Sequence, residues 1–172
     1  AIKESLESEG VKTINISRTD GFDLMKNVDL YRAGLLVDNC DILINNVGGM
    51  GTVRESYPVM HINYNTMVRL TDRFISKPRT WGRIITISSI FGKEKGHNPY
   101  FTAAKAAQIA YMKSLAGKYE GVTFNTISPG FINTKPEIEK YAKEYNAPIG
   151  IPEDIANMVV FLCSDKAKFV NG

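Results

Sequence analysis

Short runs of apolar and β-branched residues alternate along the chain with longer segments whose apolar positions recur every three or four residues. Residues 11–17 (VKTINIS), 40–45 (CDILIN), 83–87 (RIITI) and 122–127 (VTFNTI) read as strands. The nearly unbroken apolar run at 40–45 is the pattern of a strand covered on both faces. Residues 21–24 (GFDL) read as a very short further strand. Helical spacing fills the intervals. Residues 1–10 end at the stop signal Gly10, and 28–37 place Leu30, Leu35 and Leu36 inward. Residues 59–76 carry apolar side chains at 59, 62, 67, 70 and 74. Helices are also expected from Tyr100 to about Tyr119 and over 136–145. A last helix starts at Pro152, with Ile155, Val159 and Leu162 on its inner face. Strands alternating with helices predict an α/β fold built on a doubly wound parallel sheet, in a single domain over residues 1–172.

Composition narrows the function classes. At 172 residues, 44% hydrophobic and 23% charged, the chain is an ordinary globular one with a sizeable core. The net charge is +3, and its lysines and arginines are scattered without a basic run, so no nucleic-acid partner is expected. No apolar run approaches the ~20 residues that span a bilayer, and AIKESLESEG lacks the apolar core of a secretory signal. Cys40 and Cys163 lack metal-ligand spacing, which suits a reduced, cytoplasmic protein. His61 and His97 are isolated and read as structural or solvent-exposed. No metal site is expected.

Candidate chemistry gathers around residues 81–107. Ser88 and Ser89 end the strand at 83–87, and the Ala-rich helix that follows carries Lys105. Hydroxyls at a strand's C-terminal end, facing a lysine on the next helix, occupy the place where open α/β sheets bind ligands.

At these residues the chain resembles the short-chain dehydrogenase/reductase family, whose members carry a Rossmann fold. The resemblance implies hydride transfer supported by a serine after the strand, matched by Ser89, and by a Tyr-x-x-x-Lys pair whose lysine is Lys105. Four residues before Lys105 stands Phe101, and the adjacent tyrosine is Tyr100. On a helix, positions four apart lie roughly 40° apart, whereas positions five apart lie roughly 140° apart. Phe101 therefore shares a face with Lys105. Two alternatives stay open: Tyr100 acts as the acid through an irregular first helical turn, or Phe101 occupies the tyrosine's place and the acid is absent, by nature or by engineering.

Other motifs carry the same resemblance. Asn46 and Gly48, in Asn-Asn-Val-Gly-Gly, match the family's cofactor-approaching turn. Asn63, preferred over the competing Asn65, matches the asparagine of its long fourth helix, whose backbone helps hold a relay water. Pro129, Gly130, Ile132 and Thr134 match its Pro-Gly segment, implied to meet the nicotinamide carboxamide. Asp23 resembles the adenine-contacting aspartate. Ser17-Arg18 closes the first strand with a hydroxyl and a guanidinium where a carboxylate would favour NAD, so NADP(H) is expected over NAD(H). Asp20 stands nearby.

The resemblance implies an NADP(H)-dependent oxidoreductase interconverting a carbonyl and an alcohol on a small-molecule substrate. A nucleotide-binding protein without catalysis is the alternative. Ala103, Ala106, Ala107 and Ala110 would permit close helix approach in a homodimer or homotetramer. Lys93, Glu94, Lys95 and His97 make the neighbouring loop polar. The family places a strand and a glycine-rich turn before the helix that opens this sequence, which implies a longer polypeptide.

Overall fold

The run from Gly82 to Ile87 forms β2, the centre of a parallel sheet ordered β1–β2–β3, with β1 at Ile42–Asn45 and β3 at Val122–Ile127. These positions come from a computed structural model that describes residues 1–49, 56–96 and 98–172. His97 lies outside the described residues. Ile44 pairs with Ile85, and Ile85 with Asn125. Side chains alternate across a strand, so Ile84 and Ile85 enter opposite cores.

Ile84 packs with Leu43, Val122 and Phe124 beneath one helical layer. That layer comprises α2 (Asn27–Val37), α5 (Pro99–Leu115) and a long helix between them. The long helix runs from α3 (Ser56–Met60) through a π turn (His61–Asn65) into α4 (Thr66–Ile75). Ile85 packs on the other face with Leu6, Val159 and Leu162, from α1 (Ile2–Ser8) and α7 (Pro152–Cys163). Phe74 and Phe124 are fully buried, each worth about 1.5–3 kcal/mol of apolar transfer.

Two local devices fix the sheet's other end. Arg79 donates to the carbonyls of Val37, Asp38 and Cys40, satisfying acceptors left over at the C-terminus of α2. Its guanidinium also lies 3.8 Å from the Phe74 ring centroid. Gly121 enters β3 with φ +74°, where an added Cβ would fall 2.1 Å from the Thr80 carbonyl oxygen.

Several expectations are corrected. Residues 11–16 run without helix or sheet assignment, because no described strand lies beside them to complete a ladder. Gly21 ends a 3₁₀ turn at Arg18–Asp20, and residues 22–24 are likewise unpaired rather than a strand. Leu30 is buried as expected, but Leu35 points outward at 44% exposure. α5 ends at Leu115, four residues before Tyr119, and Gly117 follows with φ +78°. Beyond the Pro-Gly turn, β4 (Phe131–Ile132) pairs in parallel with β5 (Ile149–Gly150), flanking α6 (Glu137–Glu144). The helices expected from 136 and from Pro152 are present. Cys40 and Cys163 are both unpaired.

Candidate active site

The C-terminal ends of β1, β2 and β3 open into a cleft of about 220 Å³. Its lining includes Asn46, Gly48, Gly49, Ser89, Phe101, Lys105, Pro129 and Gly130. Strand ends at a sheet's C-terminal edge leave backbone groups unpaired and project loops together, which is why ligands settle there.

The two serines divide their work. Ser88 is buried and donates to the Lys105 carbonyl at 3.0 Å, tying β2 to α5. Ser89 faces the cleft. Its Oγ accepts the Phe91 N–H at 3.2 Å, which leaves the hydroxyl proton to donate into the cleft. Between these residues and α5, an added Cβ at Gly92 would fall 2.9 Å from the Lys105 backbone, so close packing sets the lysine's height.

α5 begins regularly. Asn98 is its N-cap, with Oδ1 accepting from the amides of Tyr100 and Phe101 at 3.0 and 3.1 Å, and proline stands at the first helical position. A regular first turn sends the two aromatic side chains apart. Phe101 lines the cleft, with its ring centroid 5.5 Å from Lys105 Nζ, whereas Tyr100 is 40% exposed and absent from the lining.

Lys105 is buried, and its Nζ donates to the Ile87 carbonyl at 3.1 Å. Burial disfavours the ammonium and pulls its pKa down from 10.5 to about 8. The unfolded chain therefore binds more protons between those two values, and stability rises as pH climbs through that window. Below about pH 8 the full penalty of burying the charge applies. Lys105→Met should remove this dependence. Between about pH 7 and pH 10, urea unfolding should show wild type gaining about 2 kcal/mol relative to the variant. Parallel pH profiles for the two proteins would contradict this.

The opposite wall is glycine backbone. The Gly49 amide donates to Asn63 Oδ1 at 3.1 Å, and Asn63 Nδ2 donates to the carbonyls of Gly49 and Val59 at 2.9 and 2.8 Å. A Cβ added at Gly48 would sit 2.4 Å from Asn63 Oδ1 and 3.3 Å from Lys105 Nζ. The wall can thus rest against Asn63 only while residue 48 has no side chain. Upstream, Asn45 Nδ2 donates to the hydroxyls of Thr71 and Thr86, anchoring the loop's start. Asn63 itself stays outside the lining and acts on the wall through this clamp.

The remaining expected residues form two outlying groups. Ser17, Arg18 and Asp23 cluster on one turn away from the cleft's lining. Arg18 is 77% exposed, with Nε 3.7 Å from Asp23 Oδ1. The Ser17 hydroxyl engages Asp20, whose carboxylate also accepts from Asn15. Ile132 and Thr134 also fall outside the lining, with Thr134 Oγ1 donating to the Ile132 carbonyl. Lys93, Glu94 and Lys95 are exposed and do not line the cleft. One residue that sequence reading passed over is Gln108, which is buried and donates to the Asn63 carbonyl at 2.6 Å. Glutamine in a helix usually marks a solvent face, so no signal singled it out. Among the described residues there is no metal-ligand cluster and no helix long and apolar enough to cross a membrane.

A parallel sheet with helices on both faces, and a strand-end cleft walled by glycine backbone and a buried lysine, is the architecture of a dinucleotide-binding α/β protein. Residues 32–172 match the family model described as Enoyl-(Acyl carrier protein) reductase. The 3-oxoacyl-acyl-carrier-protein reductase FabG of Buchnera aphidicola is 31% identical over 99% of this chain and 82% of its own length. An acetoacetyl-CoA reductase of Rhizobium meliloti is 36% identical over 84% of this chain and 66% of its own. A short chain dehydrogenase structure from Bacillus anthracis superposes with a TM-score of 0.70 at 28% identity, over 87% of this chain and 69% of that one. The chain belongs to the short-chain dehydrogenase/reductase family, a family of Rossmann-type oxidoreductases using NAD(P).

Proposed function

We propose that the protein is an NADP(H)-binding carbonyl–alcohol oxidoreductase whose acid position is filled by Phe101. One observation carries this reading: Ser89, Lys105 and the clamped Gly48–Gly49 wall converge on one strand-end cleft. The residues present fit the cofactor, since bare glycine backbone held by Asn63 permits close approach of a ligand opposite Lys105. Bound there, it would supply the hydride that reduces a carbonyl carbon. Lys105 would hold the nicotinamide ribose through its ammonium, and Ser89 would donate to the substrate oxygen. Asn46, Pro129 and Gly130 would line the cofactor's path, with Ile132 and Thr134 near the carboxamide and Ser17, Arg18 and Asp23 at the adenosine end. The names of the related reductases make 3-oxoacyl thioesters the first substrates to test.

The position of Phe101 favours a second reading, in which the protein binds the cofactor with impaired or absent catalysis. A phenyl ring has no proton to give, and loss of a general acid typically costs about 10² to 10⁴ in rate. NADPH oxidation over a panel of 3-oxoacyl and other carbonyl compounds separates the readings. Binding with turnover supports the first, and binding with none supports the second. We place the protein in the cytoplasm as a homodimer or homotetramer, with α5 supplying the exposed Ala103 and Ala110.

Cofactor choice is set at the other end. Arg18 can pair with a 2′-phosphate that NADH lacks, a charge-assisted contact worth about 1.5–3 kcal/mol. NADPH should bind more tightly than NADH in fluorescence titrations, and Arg18→Ala should close most of the gap. Equal affinities in wild type, or a preference for NADH, would contradict the assignment.

A further inference from the structure

We infer that Gln108 is a positioning residue that sets the width of the cofactor cleft; this rests on reading that cleft as the nicotinamide site. Gln108 lies on α5 three residues beyond Lys105 and is 1% exposed. Its Nε2 donates to the main-chain carbonyl of Asn63 at 2.6 Å, while its Oε1 has no hydrogen-bond partner among the described residues. A buried amide with an unsatisfied oxygen is a net liability for stability, and a leucine of similar size would carry none. Packing alone therefore does not account for a glutamine here.

Its partner explains the choice. Asn63 sits in the π turn His61–Asn65, where the helix is locally widened. Asn63 is fully buried, and its side chain is committed to Gly49 and Val59 by three hydrogen bonds. Gln108 fastens this turn to α5, the helix that carries Lys105 and Phe101. The two sides of the cleft, glycine backbone on one and Lys105 on the other, are thereby linked through the side chains of Gln108 and Asn63. Cutting the link frees the π turn to move, and with it the Gly48–Gly49 wall. The lysine stays in place.

Three measurements on the full chain test this: thermal melting, NADPH affinity by fluorescence, and affinity for 2′,5′-ADP, a probe of the adenosine end alone. Gln108→Leu and Gln108→Met remove both the donor and the orphan oxygen, so the melting temperature should hold or rise. NADPH affinity should fall about three- to tenfold, the size of one neutral hydrogen bond, with 2′,5′-ADP affinity unchanged. In Gln108→Glu, the protonated carboxyl can still donate to Asn63, whereas the carboxylate cannot. Its NADPH affinity should approach wild type in mild acid and fall with rising pH more steeply than wild type does. Unchanged NADPH affinity in both apolar variants would overturn the inference. So would losses that track a lowered melting temperature or extend equally to 2′,5′-ADP. Absence of NADPH binding by wild type itself would instead defeat the cofactor reading, and the inference would fall with it.

Discussion

Phe101→Tyr is expected to raise turnover of a suitable carbonyl by about 10² or more, the low end of a general acid's contribution. The ring lines the same cleft as Ser89, with its centroid 5.5 Å from the ammonium of Lys105. A hydroxyl added to that ring would enter the cleft and leave the helix's own packing alone, so folding should be nearly unchanged. A phenol ordinarily titrates near 10, and the neighbouring cation would lower that value into a useful range. Tyr100→Phe should have little effect, because Tyr100 is 40% exposed and outside the lining. The two substitutions assayed side by side give a clear answer. If Tyr100→Phe abolishes activity while Phe101→Tyr changes nothing, Tyr100 is the acid and the first turn of α5 rearranges when substrate binds.

Gly48→Ala should cost NADPH affinity by roughly ten- to a hundredfold, matching the 1–3 kcal/mol typical of overpacking. The new methyl would stand 2.4 Å from Asn63 Oδ1, closer than any real contact. Asn63 cannot yield easily, since its amide is held by Gly49 and Val59 and its carbonyl by Gln108. The loop must move instead, and it moves into the cleft or away from Lys105. Gly34→Ala is the fitting comparison. Gly34 lies within α2, where an added Cβ meets Arg73 Cγ at an ordinary 3.6 Å, and helix propensity favours alanine by about 1 kcal/mol. That variant should hold or gain stability and bind NADPH as wild type does. An unaltered affinity in Gly48→Ala would show that the glycine wall does not shape the site.

Much of the framework was legible because it depends on local pattern. The β-branched run at β2, the apolar run at β1 and the proline-led α7 follow from period and capping chemistry within a few residues. The strand expected at 11–17 shows where that logic stops. Its apolar alternation is real, but a strand exists only with a neighbour to pair with, and pairing is a property of the whole sheet. Leu35 and Leu36 are both expected inward, but helix geometry turns adjacent residues about 100° apart, and Leu35 is the one that faces out. The π turn at His61–Asn65 is invisible to a periodicity of 3.6. The pairing of β4 with β5 involves two residues on each strand, too few to leave a pattern.

For the candidate site, the legible part is which residues share the cleft. Ser89, Lys105, Asn46, Gly48, Pro129 and Gly130 were named from motif order, and the fold brings them to one cleft. The separation of Tyr100 from Phe101 followed from helical angle, and the Asn98 cap fixes the first turn on which that angle depends. Gln108 was passed over because its role depends on a carbonyl 45 residues away in sequence. Sequence spacing carries no trace of such a contact.

The most direct test is a fluorescence titration of NADPH into wild type and Gly48→Ala under identical conditions. Saturable binding by wild type, weakened roughly ten- to a hundredfold in the variant, is the predicted result. No saturable binding by wild type, or the same affinity in both proteins, would contradict the placement of the cofactor between the glycine wall and Lys105.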